Sequence, residues 1–428
     1  MELRVGPRGP LKGRLKVPGD KSISHRAAIL GAIADGPTEI HNFLEGEDCL
    51  HTLACLERLG VVIEGPRAGR VTLHGRGLHG LQEPADILDA GNSGTTIRLF
   101  CGLLAGQPFY ATITGDASIR RRPMARVTRP LREMGARIFG REDASLAPIT
   151  VMGGKLRGID HELPVASAQV KSALLLAGLY AEGRTSVREP HRSRDHTERM
   201  LPYFGAPLEV EGTSVAITPP PRLAGQRIRV PGDFSSAAFF LVAATIVPGS
   251  ELLIEGVGVN PTRTGLLEAL ELMGADLRLF NLREEGGEPM ADLLVRHAPL
   301  HGISLGGEMI PRLIDEVPVL AVAACLAEGE TSITDCQELA VKETNRLRAI
   351  VEELGRLGAR VEEIPGGLVV RGPVSLEGAC VDSRGDHRMA MALAVAGLVA
   401  RGETVIRGAE SVSISFPGFL EAWEAIFT

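Results

Sequence analysis

Six times along the chain an unbroken apolar run closes on a glycine turn and passes into an alternating, extended segment. The runs are "HRAAILGAIADGPTEI", "TIRLFCGLLAGQPFYATI", "KSALLLAGLYAEGRTSV", "AAFFLVAATIVPGSELLI", "PVLAVAACLAEGETSIT" and "RMAMALAVAGLVARGETVI", with turn glycines at 36, 106, 183, 249, 329 and 402. A helix that is apolar on every side is a buried one. Self-similarity at a period of roughly 70 to 80 residues marks repeated supersecondary units. A second pattern interleaves with the first: "LERLGVVI", "LREMGARI", "LPYFGAPLEV", "LELMGADLRL" and "LGRLGARVEEI" each read as an amphipathic helix, a glycine at its C-terminal end, and then a strand. Each unit is therefore two helices with strands between and around them. The sixth closes as "FPGFLEAWEAIF", a last helix without its strand.

The phrase V-P-G-D occurs twice, at 17–20 and at 230–233, each time before a small-residue helix start. At 428 residues the chain is too long for one ordinary core. Six units and one duplicated phrase divide into three plus three. The expected architecture is α/β (α+β) with two similar domains, 20–231 and 1–19 plus 232–428. The chain would cross between them near 17–20 and 230–233. Proline fixes one dihedral there and glycine frees the next, which suits a hinge; a strand-to-helix turn repeated by duplication accounts for the phrase equally well.

Composition narrows the function. With a net charge of -7 and only 4% aromatic residues, the chain lacks both the basic excess and the stacking platforms that nucleic-acid binding uses. Its longest apolar runs, such as Ala237 to Val247 and Met389 to Ala400, fall short of the about 20 residues that a membrane span needs. No signal or transit pattern precedes the first motif, so a cytoplasmic location is expected. The cysteines (Cys49, Cys55, Cys101, Cys325, Cys336 and Cys380) show no C-x-x-C spacing, so no metal site or disulfide framework is expected, and most of them read as buried small hydrophobes. Of 46 basic residues only six are lysine. In a chain that prefers arginine so strongly, Lys21, Lys171 and Lys342 stand out as places where a compact ammonium is required.

The stretches before the six apolar helices are "DKSISHR", "GNSGTT", "VASAQVKS", "GDFSSA", "IPRLIDEV" and "RGDHRM". Helix N-termini carry free N–H groups and the positive end of the dipole, so six of them suit a multiply anionic ligand. Each contributes only about 0.3 to 1 kcal/mol, so cationic side chains must supply the rest. Ser22, Thr95, Ser167 and Ser235 read equally well as plain N-caps. Lys21, Arg26, Arg98, Lys171 and Arg388 lie on or beside helices that should be buried, where a cation needs a partner or a ligand. In "GDASIRRRPMARV", Arg120 and Arg121 read as a solvated face, and Arg122, held against Pro123, as the ligand candidate. "AVKETNRL" is expected to place Lys342, Glu343 and Arg346 on the first turn and a half of a helix, either as an ion-pair ladder or as part of a site. "PGDKS" lacks the spacing of a P-loop, and the histidines of "HRSRDH", set among arginines, make a poor metal site.

Taken together, "PGDKSISHRA", "GNSGTTIRL", "GDASIRRRPM", "ASAQVKSALLLAGL", "SRDHTERM", "PGDFSSAAFF", "IDEVPVLA", "VKETNRL", "DHRMAMA" and "SFPGF" resemble the 5-enolpyruvylshikimate-3-phosphate synthase family nearly end to end. The resemblance implies two domains of three βαβαββ units each, with the active site in the cleft between them. It implies transfer of the enolpyruvyl group of phosphoenolpyruvate to the 5-hydroxyl of shikimate 3-phosphate, through a tetrahedral intermediate, without metal or cofactor. The partners would be these two small molecules, with no nucleic acid or membrane, and the enzyme a monomer. Carried over by motif, Lys21, Ser22, Arg26, Ser167, Ala168, Gln169, Arg194, Asp315 and Lys342 would bind shikimate 3-phosphate. Lys21, Asn92, Gly94, Thr95, Arg122, Gln169, Arg346 and Arg388 would bind phosphoenolpyruvate. Asp315, Glu343, Lys21 and Lys342 would be catalytic, with Asp315 taking the hydroxyl proton and Glu343 protonating the methylene carbon.

The chain departs from the family in two places. Ala340 stands where a basic residue is usual, and Ser413, Ile414 and Ser415 stand where many members carry a lysine before the final "FP". Gly94 implies sensitivity to glyphosate. A sister transferase acting on UDP-N-acetylglucosamine would share the fold, but its reactive loop cysteine and opening motif are not matched. A non-catalytic anion-binding repeat protein is the rival from another class.

Overall fold

A computed structural model describes residues 1–220 and 222–427. The chain forms two compact units, one of residues 19–230 with 285–288, the other of 1–18, 231–284 and 289 onward. The crossings fall at 18/19 and 230/231, one residue before the boundaries expected from sequence, and the short Glu285–Glu288 turn groups with the 19–230 unit.

The six apolar runs form helices α1 (Lys21–Ala32), α2 (Gly94–Ala105), α3 (Ala168–Gly178), α4 (Phe234–Ile246), α5 (Val317–Leu326) and α6 (His387–Gly397). Every residue of α4 is buried, as a helix without a polar face must be. Helices α4, α5 and α6 pack on one another at the centre of their unit; in the other, α2 lies along α3 and touches α1. Each unit has its own continuous hydrophobic core. The amphipathic helices lie outside these, and the glycines that close them adopt the left-handed conformation, as at Gly60 (φ +85°) and Gly274 (φ +97°).

The repeat is clearest at 88–152. Strand Leu88–Asp89, α2, strand Tyr110–Thr114, helix Ala125–Glu133, and strands Arg137–Gly140 and Leu146–Met152 follow in order, a βαβαββ unit. The first two strands pair in parallel, and the fourth lies between the second and third, antiparallel to both. The repeats at 160–217 and 304–372 have the same order and senses.

The V-P-G-D phrases acquire a meaning from the remaining sheets. Strand Lys12–Leu15, just before the first phrase, pairs with Glu251–Gly258 and so completes the unit that α4 opens. Strand Arg227–Arg229, just before the second, pairs with Asp35–His41 and completes the unit that α1 opens. Each phrase thus links a strand of one unit to a helix of the other. Its aspartate is the helix cap: Asp20 accepts from the Ile23 N–H at 2.9 Å and Asp233 from the Ser236 N–H at 3.0 Å. A Cβ on Gly19 would lie 1.8 Å from the Asn42 carbonyl oxygen, so only glycine fits there. The sixth repeat, expected to lack a strand, receives one from the N-terminus: Glu2–Val5 pairs antiparallel with Thr404–Arg407.

Candidate active site

In the 19–230 unit the candidate ligands lie at the starts of α1, α2 and α3. Lys21 opens α1, and its Nζ lies 3.1 Å from an Asp48 carboxylate oxygen. Arg26, one turn further on, is buried. Its Nε donates to the Thr197 hydroxyl at 2.7 Å, one Nη to the Ser172 hydroxyl at 2.7 Å, and the other to the Ser22 carbonyl at 2.9 Å. These are neutral oxygens, and burial pushes the guanidinium down to about 10, against the opposing pull of Glu198 and Asp20, with Arg194 pushing the same way as burial. Arg194 thus joins Arg26 in this field.

At α2 the cap is Ser93, which accepts from the Thr96 N–H at 3.1 Å. Gly94 follows it, and a Cβ there would lie 2.8 Å from an Arg98 Nη and 2.9 Å from an Arg122 Nη, so two guanidinium groups pass directly over the Gly94 backbone. Arg98 donates to the Gln169 side-chain oxygen at 2.7 Å, and Gln169 donates to the Thr95 hydroxyl at 3.1 Å, which ties the α3 start to the α2 start. Asn92, on the preceding turn, donates to Asp116 at 2.6 Å. Arg120 and Arg121 are exposed and Arg122 half-buried, as the sequence suggested.

Lys171, singled out by its rarity, has a structural explanation. Its Nζ sits 2.6 Å from Glu189 and 2.6 Å from Glu198, with the lysine side chain only 2% exposed. The two carboxylates outweigh burial and hold the ammonium above its ordinary value. Removing one member of such a buried set costs about 3 to 5 kcal/mol.

The 231–428 unit gathers its candidates around one guanidinium. Buried Arg346 donates from Nε to Asp386 at 2.7 Å, from Nη1 to Asp315 at 3.1 Å and from Nη2 to Glu343 at 2.6 Å. Burial alone would lower its pKa; Asp386, Glu343 and Asp315 overcome that and raise it. Asp315 also lies 3.9 Å from Lys342 Nζ and 3.7 Å from Arg388 Nη2, so three cations face one carboxylate. Neighbouring Glu316 is buried and lies 3.6 Å from Arg388, and the Ser235 hydroxyl donates to it.

Two local expectations are corrected. Lys342 and Glu343 precede the helix instead of riding its first turns: Asn345 accepts from the Arg348 N–H at 3.1 Å, and the helix runs Arg346–Arg356. An asparagine so placed caps the helix and leaves the lysine and glutamate on the bend that precedes it. Ser22, Thr95 and Ser235 are likewise not caps, because Asp20, Ser93 and Asp233 take that position; Ser167 does occupy the cap of α3 but accepts no capping hydrogen bond.

Sequence reasoning missed the hydroxyls and carboxylates that hold the cations: Thr197, Ser172, Glu189 and Asp386. Their only signal was proximity to singled-out residues, since "DHTER" and "GDHRM" place Thr197 and Asp386 within two or three positions of Arg194 and Arg388. A buried chain also joins α1 to the α2 cap. His25 Nδ1 lies 2.7 Å from the Thr52 hydroxyl, Thr52 lies 2.7 Å from Thr96, and Thr96 donates to Ser93 at 2.7 Å. Burial, with Lys21 and Arg26 nearby, holds His25 well below its ordinary pKa, so it is neutral. Among the described residues no cluster of three or more His, Cys, Asp or Glu is arranged to hold a metal ion, and no helix is long and apolar enough to cross a membrane.

Repeated βαβαββ units with cations gathered at helix starts define the class. The fold is that of the enolpyruvyl transferases: NikO from Streptomyces tendae superposes with a TM-score of 0.80 over 99% of this chain and 97% of its own, at 18% identity, a likeness of fold alone. The chain belongs to the EPSP synthase (3-phosphoshikimate 1-carboxyvinyltransferase) family, whose model matches residues 5–423. The EPSP synthase structure from Acinetobacter baumannii matches with a TM-score of 0.90 and 45% identity, covering 100% of this chain and 98% of that one. Relatives named 3-phosphoshikimate 1-carboxyvinyltransferase include that of Pelotomaculum thermopropionicum, 60% identical over 420 residues (98% of this chain, 97% of the relative). That of Gloeobacter violaceus is 59% identical over 418 residues (97% of each).

Proposed function

We propose that this chain transfers the 1-carboxyvinyl group of phosphoenolpyruvate to the 5-hydroxyl of shikimate 3-phosphate, releasing inorganic phosphate. The observation that carries the assignment of chemistry is the single guanidinium of Arg346, which holds two carboxylates, Asp315 at 3.1 Å and Glu343 at 2.6 Å. Addition of an alcohol across an enol double bond needs one group to take the hydroxyl proton and another to protonate the methylene carbon. Asp315 takes the first role. Glu343 takes the second, then recovers a methyl proton as phosphate departs and the double bond re-forms. Lys342 and Arg388, both within 4 Å of Asp315, supply positive charge for the anionic phosphate and carboxylate groups of the substrates.

Shikimate 3-phosphate is assigned to Lys21, Ser22, Arg26, Ser167, Ala168, Gln169, Arg194, Asp315 and Lys342. Phosphoenolpyruvate is assigned to Lys21, Asn92, Gly94, Thr95, Arg122, Gln169, Arg346 and Arg388. The half-buried Arg122 guanidinium beside Gly94 supports the second set, because a carboxylate or phosphate laid on that backbone meets a forked donor. Arg346 already spends Nε, one Nη1 hydrogen and both Nη2 hydrogens on carboxylates, which leaves one Nη1 hydrogen for a substrate. Its larger share is to fix Asp315 and Glu343. In this reading the enzyme works as a cytoplasmic monomer.

Glu343→Gln is the test. It should bind both substrates normally and lose about a hundredfold or more in turnover, measured as phosphate release from phosphoenolpyruvate with shikimate 3-phosphate. Near-wild-type turnover would sink the assignment. The same assay with a nucleotide sugar in place of shikimate 3-phosphate should release nothing.

A further inference from the structure

Glu189 is assigned to neither substrate, yet its carboxylate accepts four hydrogen bonds. It follows strand Thr185–Arg188, and its side chain is 1% exposed. One oxygen accepts from the Ser167 N–H at 3.0 Å and the Ser193 hydroxyl at 2.5 Å. The other accepts from Lys171 at 2.6 Å and the Ser193 N–H at 3.2 Å. Two of these donors are backbone groups of separate segments: Ser167 is the cap of α3, and Ser193 immediately precedes Arg194.

A carboxylate that only balanced Lys171 would not need three further donors, two of them main-chain. The arrangement fixes the distance between the Ser167–Gln169 turn and the Arg194 segment. Lys171 extends the tie through Glu198, whose oxygen lies 2.6 Å from the ammonium and whose neighbour Thr197 receives Arg26. Burial, opposed by Lys171, holds Glu198 above the ordinary carboxyl value.

We infer that Glu189 is a positioning residue for shikimate 3-phosphate: it holds the start of α3 and the Arg194 segment at the separation at which both reach the same ligand. This rests on the assignment of Ser167, Gln169 and Arg194 to that substrate. Phosphoenolpyruvate, assigned mainly to the Gly94 and Arg122 side, should feel the change far less.

The test compares Glu189→Gln, Ser193→Ala and Arg194→Ala by calorimetric titration with shikimate 3-phosphate, and by the KM for phosphoenolpyruvate at saturating shikimate 3-phosphate. Glutamine keeps one acceptor oxygen but turns an amide toward Lys171 and the Ser193 N–H. It should weaken shikimate 3-phosphate about tenfold or more while changing the phosphoenolpyruvate KM less than about twofold. Ser193→Ala removes one hydroxyl donor and leaves the ion pair, so it should fold even if Glu189→Gln does not, and weaken the same ligand about two- to fivefold. Unchanged affinity in Ser193→Ala and in folded Glu189→Gln, with Arg194→Ala impaired, overturns the inference alone. Equal losses for both substrates also overturn it, because they signal general loosening. Unchanged affinity in Arg194→Ala overturns the site assignment and the inference together.

Discussion

Arg26 and Arg346 are both buried guanidinium groups near helix starts, one in each unit, and their surroundings push them in opposite directions. Arg26 is held by two hydroxyls and a carbonyl, and burial lowers it to about 10. Arg346 is held by three carboxylates and is raised. Neutral oxygens orient a cation without cancelling it, so the Arg26 arrangement keeps a positive charge, only partly offset by Glu198 and Asp20, that an anionic ligand can use. Carboxylates cancel it. The Arg346 arrangement instead gives two acids a fixed place, which suits proton transfer better than anion capture. In the proposed reading the duplicated scaffold carries a binding-type half and a proton-handling half, and the difference lies in what surrounds the guanidinium.

The contrast can be broken most forcefully at Arg346. Arg346→Met leaves Asp315, Glu343 and Asp386 without their shared cation, so stability should fall by about 3 to 5 kcal/mol, and turnover should be lost, as read by chemical denaturation and phosphate release. Arg26→Met strands only neutral oxygens, two hydroxyls and the Ser22 carbonyl, and the Ser172 and Thr197 oxygens already lie 2.7 Å apart. Its stability should drop by only about 1 to 2 kcal/mol, while affinity for shikimate 3-phosphate falls about a hundredfold or more. Equal stability losses in the two variants would erase the distinction.

Gly94→Ala probes the same half more gently. Its methyl group would meet the Arg98 and Arg122 Nη atoms at 2.8 and 2.9 Å, and the long side chains can yield. The KM for phosphoenolpyruvate should rise about tenfold, with shikimate 3-phosphate affinity within about twofold of wild type. The smallest effect concerns His25. Because its folded pKa lies below the unfolded value of about 6.5, the stability tied to its neutral form is present above that pH and is lost as pH falls below it, by at most about 1.4 kcal/mol per unit. His25→Asn should remove that part of the slope between pH 6.5 and 5, seen by comparing denaturation midpoints of the two proteins.

Much of this molecule can be read without coordinates. Helices apolar on all sides, glycines that close amphipathic helices and the doubled V-P-G-D reveal the repeats, because burial and left-handed caps restrict which residues can stand there. Lys21, Arg26, Arg98 and Arg388 stand out for a related reason: a charge beside a buried helix demands a partner. Lys171 shows where that logic stops, since the same demand is met internally by Glu189 and Glu198. Nothing local distinguishes a cation awaiting a ligand from one already paired by residues 18 and 27 positions away.

The sequence by itself determined the repeat, the helix starts that carry chemistry and the family. Only the tertiary structure decided which strand completes which unit, that the aspartate of each V-P-G-D is a helix cap, and that Lys342 and Glu343 stand on a bend ahead of Asn345. It also decided which oxygens surround each buried guanidinium. The physical reason is range: periodicity and capping act over a few residues, whereas sheet pairing and the solvation of a buried charge are settled by groups tens to hundreds of positions apart that meet only when the chain has folded.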